Sequence, residues 1–389
     1  MQKDDKMKIL FLSSWYPNRY DAMEGLFVRK HAEAASRIAN VTVLYVKNFT
    51  GDSFEIEEEK FKDVREIYIY YPESNTPFLK KVVKTLNWLR AYWKGFQLIR
   101  EEGLPDLIHA NILTRTAIIA LLIKWFYGIP YVITEHWSRY LKIRNGYNGW
   151  LRKRATELAV ANAKAILPVS VTLQNAMIEN GLNHANYQIV NNVVDDFFFQ
   201  QELCNEKHER TQFLHISCFC EEAKNVKGIL EAVKILKERR NDFELTIIGT
   251  GVDFQEVYDY AKSLNVIDSV HFLGEKTPEE VMTQFQHSDV FLLNSNFETS
   301  GVVIMESLAS GKPVITTAVG IAPQVIHPGN GLLVPFRQPE ALAEKMDWMI
   351  SHHHEYDAQK IRKEAYIFSY DTISKQLGEI YKQAKGSSI

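Results

Sequence analysis

Two glutamates, Glu298 and Glu306, stand with seven residues between them inside SNFETSGVVIMESLASGKPVI. Paired carboxylates can act as general acid and base, or they can hold the hydroxyls of a sugar. If the segment ran on a helical path, eight positions would be a little over two turns, and both groups could face one cleft from different depths. Ser300, Gly301 and Val302, between them, are expected at a helix N-terminus, where unpaired N–H groups suit phosphate or sugar oxygens. A glutamate near a helix start is also favoured by the helix dipole alone, which is the plainer reading of Glu298. Glu306 has Val303, Ile304, Met305 and Leu308 as neighbours and is expected to be buried among them. A carboxylate placed there needs partners, and ligand hydroxyls would serve.

Other residues could join this chemistry. FLHISCFCEEAKNVKG reads as a strand and loop carrying Lys224 and Lys227 ahead of a helix, a phosphate-binding arrangement or simply two solvated lysines. IIGTG places Gly249 and Gly251 after a strand, but the third glycine of a dinucleotide fingerprint is missing. We read it as a tight turn lining a cleft. No phosphate-loop motif occurs. His109 in DLIHA and His136 in ITEHWS end apolar strands, where an imidazole can position a hydroxyl, share a proton, or be a satisfied core group. The triplet His352–His354 reads as a solvated loop between helices, and there is no Asp-x-Asp. Cys204, Cys218 and Cys220 have neither metal-ligand nor redox spacing, so no metal and no cofactor are expected.

Apolar runs and amphipathic stretches alternate along most of the chain, which predicts an α/β protein with parallel, doubly wound, Rossmann-like sheets. One series covers 1–195 and a second covers 211–370. The aperiodic stretch 196–210 is expected to be a loop-like linker, and a helix over about 371–386 is expected to return to the first domain. Two such domains facing one another would enclose a cleft between them. The length of 389 residues and the 46% hydrophobic content suit two soluble domains, and a net charge of −3 gives no reason to expect nucleic acid as a partner. TAIIALLIKWFYGIPYVI, the most apolar run, is broken by Lys124, Gly128 and Pro130, so a cytoplasmic protein is expected.

Charge is distributed unevenly. Residues 75–155 contain fourteen Lys/Arg and four Asp/Glu. Within them a helix over about 78–102 places Phe78, Val82, Leu86, Leu89, Trp93 and Phe96 at helical spacing among lysines. That stripe either packs on the domain's own sheet or lies on an anionic membrane surface.

Taken together, SSWYP with Gly25, PDLIHA, ITEHWS, YQIVNNVVDDFF, KNVKG, IIGTG, VHFLGE and ETSGVVIMESLASGKPVI resemble the retaining GT-B glycosyltransferases of family four across nearly the whole chain. The last segment is similar to that family's E-G-F-G-x-x-x-x-E-A-x-A-x-G-x-P-V, departing at Thr299, Ser300 and Ser307. The resemblance implies that Glu306 holds the ribose of a nucleotide-diphosphate sugar, and that Glu298 with the Ser300–Val302 amides holds its sugar and phosphates. It also implies that Lys224 neutralises the diphosphate, with Lys227 in support, and that His136 sits beside the transferring sugar. Gly25, Gly249, Gly251, Leu273 and Gly274 would approach the donor through backbone. His109 and Arg139 are acceptor-side candidates. Cys220 stands where the family commonly has an arginine, and Gln324 where it has an acid. The implied reaction is metal-independent retaining transfer to a saccharide or lipid-linked acceptor, in polysaccharide or glycolipid synthesis. A sugar-nucleotide epimerase or hydrolase, and a non-catalytic lipid- or polyanion-binding protein, are the rival readings.

Overall fold

The computed structural model describes residues 6–73, 80–203 and 208–386. Phe78 and Cys204 lie outside them. The chain divides into two compact units, Val194–Ser369 and the remainder on either side, Met1–Val193 with Tyr370–Ile389.

The first unit is built on β1 (Lys8–Ser13), β2 (Asn40–Phe49), β3 (Glu55–Phe61), β4 (Val64–Pro72), β5 (Leu107–Asn111), β6 (Tyr131–Glu135) and β7 (Ile166–Pro168), in spatial order β3-β4-β2-β1-β5-β6-β7. β1 runs parallel between β2 and β5, with Phe11 opposite both Val43 and His109. β3 is an unexpected strand, drawn from the acidic stretch 52–66 and paired antiparallel with β4. EIEEEKF lacks the apolar alternation of a covered strand because it forms an edge, where charge also blocks pairing with other chains.

Helix Lys80–Glu101 packs Asn87, Ala91, Tyr92, Gly95, Phe96 and Ile99 inward. Gly95 sets the approach, since a Cβ there would lie 2.3 Å from Leu44 Cδ1. Of the described residues in the expected stripe, only Phe96 is buried; Val82, Leu86, Leu89 and Trp93 are exposed. Helix Tyr370–Lys385 lies on helix Leu26–Ser36 and adds Ile373, Leu377, Ile380 and Tyr381 to the core of the first unit.

The second unit carries β8 (Thr211–Ile216), β9 (Phe243–Ile248), β10 (Val270–Gly274), β11 (Val290–Leu293), β12 (Val314–Thr317) and β13 (Gly331–Val334), ordered β10-β9-β8-β11-β12-β13 and wholly parallel. Helices cover both faces over two apolar cores, one around Val226, Leu245 and Met346, the other around Ile304, Leu293 and Phe368. In place of the expected loop, Asp196–Gln200 is a short helix that seats Phe198 in the second of these cores. No helix among the described residues is long and apolar enough to cross a membrane.

Each sheet reverses its winding beside its first strand, between β1 and β5 and between β8 and β11. Parallel α/β sheets bind ligands beyond the strand C-termini at such switch points.

Both cores hold buried imidazoles. Burial pushes His31 down to about 4, and His215 likewise to about 4. A base with a depressed folded pKa stabilises the fold above its unfolded value of about 6.5, and that stability is lost as pH falls from there toward 4. Urea unfolding at pH 7 and pH 5 should therefore differ by about 2 kcal/mol for each of these two histidines, with the protein weaker at pH 5.

Candidate functional site

At the switch point of the second sheet, the loops following β8 and β11 are joined by an ion pair between Lys224 and Glu298. Ser295 Oγ donates to the same Glu298 oxygen at 2.9 Å, and Thr317 Oγ1 holds the Ser295 carbonyl at 2.6 Å. Burial alone would lower the Lys224 ammonium, but the charge and hydrogen bond of Glu298 outweigh it, so its pKa lies above the ordinary lysine value. The pair is largely buried, with 16% and 13% of the two side chains exposed, and an ammonium has three protons, of which Glu298 takes one.

Glu298 is not on a helix. The helix is Val302–Ala309, so the eight residues from Glu298 to Glu306 do not follow one helical path. Gly301 caps it in the left-handed region (φ 82°, ψ 59°), with no side-chain cap. Ser300 is buried and its Oγ has no partner. Glu306 lies in the second turn and is half-buried rather than enclosed, because Val302 and Val303 beside it are also part-exposed while Ile304, Met305 and Leu308 carry the buried face. Gly320 closes over this loop: a Cβ there would stand 2.5 Å from the Ser300 carbonyl, and Ile321 N donates to that carbonyl at 2.8 Å.

Several predicted residues have a different neighbourhood from the one expected. Lys227 is ion-paired with Glu256 on the helix surface. The helix it opens is capped by Glu221, whose carboxylate accepts from Val226 N (2.7 Å) and Lys227 N (3.2 Å). Burial keeps that carboxyl above its ordinary range despite these bonds. Gly249 and Gly251 serve backbone packing: a Cβ on Gly249 would lie 1.8 Å from the Ser217 carbonyl, and one on Gly251 2.5 Å from that of Phe219. Gly249 N also donates to Gly274 O at 2.8 Å, tying the ends of β9 and β10, and Leu273 is exposed beside them. Cys220 precedes the short helix Glu221–Lys224. Gln324 is held by a long hydrogen bond to Gly320 O, at 3.4 Å.

In the first unit, Gly25 caps helix Leu26–Ser36 at φ 63°, and a Cβ there would meet the Trp15 carbonyl at 2.3 Å. His109 is a core residue, with Nδ1 hydrogen-bonded to the Tyr381 hydroxyl (2.7 Å) and Nε2 to Thr134 Oγ1 (2.6 Å). Both ring nitrogens are thus engaged within the core. His136 is the opposite case. It is buried against Phe27 and His31, and neither ring nitrogen has a hydrogen-bond partner; Asn192 lies beside it without bonding geometry. Burial first, then the neighbouring imidazoles, hold its pKa well below the ordinary histidine value, so it is neutral at pH 7. Arg139 lies over the Trp137 ring with Cζ 3.0 Å from the centroid.

Glu135, which no motif marked, organises this end of β6. It is fully buried and accepts hydrogen bonds from Leu113 N (2.8 Å), His136 N (2.7 Å) and Trp137 N (2.7 Å). The His352–His354 triplet does not form a loop: His352 ends helix Pro339–His352, stacked on Trp348, and His353 begins a 3₁₀ turn. Among the described residues no group of three or more His, Cys, Asp or Glu could hold a metal ion.

Comparison with known proteins agrees with this layout. Residues 28–196 match the family described as Glycosyltransferase Family 4, and residues 198–367 match Glycosyl transferases group 1. An uncharacterized glycosyltransferase of Methanocaldococcus jannaschii is 28% identical over 87% of both chains. The putative teichuronic acid biosynthesis glycosyltransferase TuaC of Bacillus subtilis is 24% identical over 87% of this chain and 88% of its own. The crystal structure of Anabaena HepE in complex with UDP has TM-score 0.73 and 19% identity, covering 97% of this chain and all of that one.

The closeness of Gly320 to Ser300 makes a direct prediction. Gly320→Ala combines a positive φ of 53° with contact on backbone, and should destabilise the protein by about 1–3 kcal/mol in urea unfolding. An unchanged midpoint would show that the loop yields freely.

Proposed function

Because this chain belongs to the GT-B glycosyltransferases of group 1, we propose that it transfers a sugar from a nucleotide-diphosphate donor to a hydroxyl acceptor with retention of configuration and without a metal ion. The observation that carries this is the grouping at the switch point of the second sheet. Lys224 is fixed by Glu298, and the uncapped N-terminus of Val302–Ala309 follows directly, with the unpartnered Ser300 hydroxyl and the half-buried Glu306. HepE, whose fold this chain shares, was solved in complex with UDP, which supports a nucleotide as part of the donor.

Lys224 and the helix-end amides stabilise the negative charge that develops on the departing diphosphate. Glu306 accepts hydrogen bonds from ribose hydroxyls. Neither glutamate acts as a nucleophile: Glu298 is committed to Lys224 and Ser295, and the leaving phosphate takes the acceptor's proton. In the first unit the neutral, unpartnered His136 offers a hydrogen bond to a substrate hydroxyl. The relationship to TuaC suits polysaccharide synthesis. The outward stripe Val82, Leu86, Leu89 and Trp93, with Lys81, Arg90 and Lys94 exposed alongside, suits peripheral contact with an anionic membrane and hence a lipid-linked acceptor.

Thermal shift against a panel of nucleoside diphosphates and their sugars should identify a donor. Glu306→Ala should then raise its Kd about tenfold, and Lys224→Ala should lower turnover more than it weakens binding. Full transfer activity in both variants would refute the site. Consumption of donor without acceptor, at the rate seen with it, would favour a hydrolase or epimerase. Co-sedimentation with anionic vesicles should fall sharply in Leu86→Glu/Trp93→Glu while activity on a soluble acceptor persists; equal sedimentation with neutral vesicles would exclude the charge-assisted contact.

A further inference from the structure

Arg139 is 9% exposed, yet among the described residues no carboxylate forms an ion pair with it, and its Nε is buried without a hydrogen-bond partner. The nearest candidate, Glu135, has both oxygens bonded to backbone N–H groups. A largely buried guanidinium whose one neighbouring carboxylate acts at a distance and is hydrogen-bonded elsewhere is under-compensated, and an anion from outside the protein would supply the missing partner. Its neighbours sharpen this reading. Arg115 and Arg152 lie close enough to repel it, both exposed.

Arg115 opens helix Arg115–Tyr127, which starts beyond the C-terminus of β5 at the switch point of the first sheet. The first turn has no acidic residue and no side-chain cap, and the N–H groups of Arg115, Thr116 and Ala117 meet no acceptor among the described residues. The N-cap, Thr114, points its hydroxyl at Thr156 Oγ1 (3.0 Å), one turn beyond Arg152 on helix Trp150–Asn162, so the two basic helices are tied together there. Ile112 and Thr114, both β-branched, hold φ of 69° and 87°, a conformation such residues adopt only where the surroundings impose it. Arg139 is held in place by stacking on Trp137, which meets Trp15 edge-on at 4.9 Å, so little freedom remains to be lost on binding.

We propose that the substrate of the first unit carries an oxyanion, a phosphate ester or a carboxylate, bound by Arg139 with Arg115, Arg152 and the free N–H groups that open helix Arg115–Tyr127. The proposal rests on reading the first unit as the acceptor side of a glycosyltransferase, and it names the acceptor class. A planar fork and three backbone donors suit two or more oxygens on one centre, which a neutral hydroxyl cannot supply.

The test uses the full chain and its Lys224→Ala variant, and the first unit's share of the binding is the part that the arginine substitutions below remove in both. Inorganic phosphate and acetate are titrated by calorimetry against chloride at equal ionic strength. Phosphate binding tighter than acetate supports a phosphate ester; acetate equal or tighter supports a carboxylate. Binding of both no stronger than chloride overturns the proposal. Arg139→Gln should raise the Kd about tenfold or more, and Arg139→Lys should fall between it and the parent. Should Arg139→Gln fail to fold by circular dichroism, Arg115→Gln/Arg152→Gln alters only exposed side chains and must also weaken binding several-fold. Unchanged affinity in that variant, or in a folded Arg139→Gln, overturns the site. Nucleotide binding measured on the unsubstituted chain reports on the donor reading alone, so the two proposals fail separately.

Discussion

One buried carboxylate sets the geometry of the first unit's ligand-facing end. Glu135 closes β6, and its two oxygens accept three backbone N–H groups, one from the loop after β5 and two from its own. Burial raises its pKa while these hydrogen bonds lower it, with a net rise. In return, the positions of His136, Trp137 and the start of helix Arg115–Tyr127 are tied to one atom pair. Apart from Arg152 on helix Trp150–Asn162, every polar group we assign to the substrate in this unit is within a few residues of that carboxylate or of the loop it grips.

The second unit reaches the same end by another route. There, close backbone approach replaces a buried charge. Gly249 and Gly251 let the loop after β9 pass against Ser217 and Phe219, and Gly320 lets its loop press on Ser300. These contacts leave little latitude for the two loops that carry Lys224 and Glu298. The ion pair between them is a link of 74 residues in sequence and spans the switch point of the sheet.

Much of this was legible in the sequence, and the parts that were not have identifiable causes. VVIMESLA announced a helix because Ile304, Met305, Leu308 and Ala309 recur on one face, and ETSG announced the break before it. β3 was illegible because an edge strand bonds on one side only and keeps its charges. Helix Lys80–Glu101 carries two apolar stripes, and counting hydrophobes could not choose between them. The deciding signal was the small pair Ala91 and Gly95, which lets one face come down on Leu44. His109 and His136 look alike in sequence, each read at the end of an apolar strand, but His109 stands in the middle of β5 and His136 just past β6. The positions of Thr134 on the next strand and of Tyr381, 272 residues away, separate a satisfied core imidazole from an unpartnered one. Glu135 and Glu221 act through backbone N–H groups, and no residue-type pattern records such partners.

The hydroxyl of Tyr381 also bears on how the chain becomes folded during synthesis. The first unit's core includes Ile373, Leu377, Ile380 and Tyr381, and these residues leave the ribosome only after the whole of Val194–Ser369. Its sheet can form early, but His109 and the apolar face of helix Leu26–Ser36 wait uncovered while 176 residues of the other unit are made. The second unit, continuous in sequence, has no such delay. The translation order therefore inverts the folding order: the half made first is the half completed last, and it is the one that needs shielding in the interval.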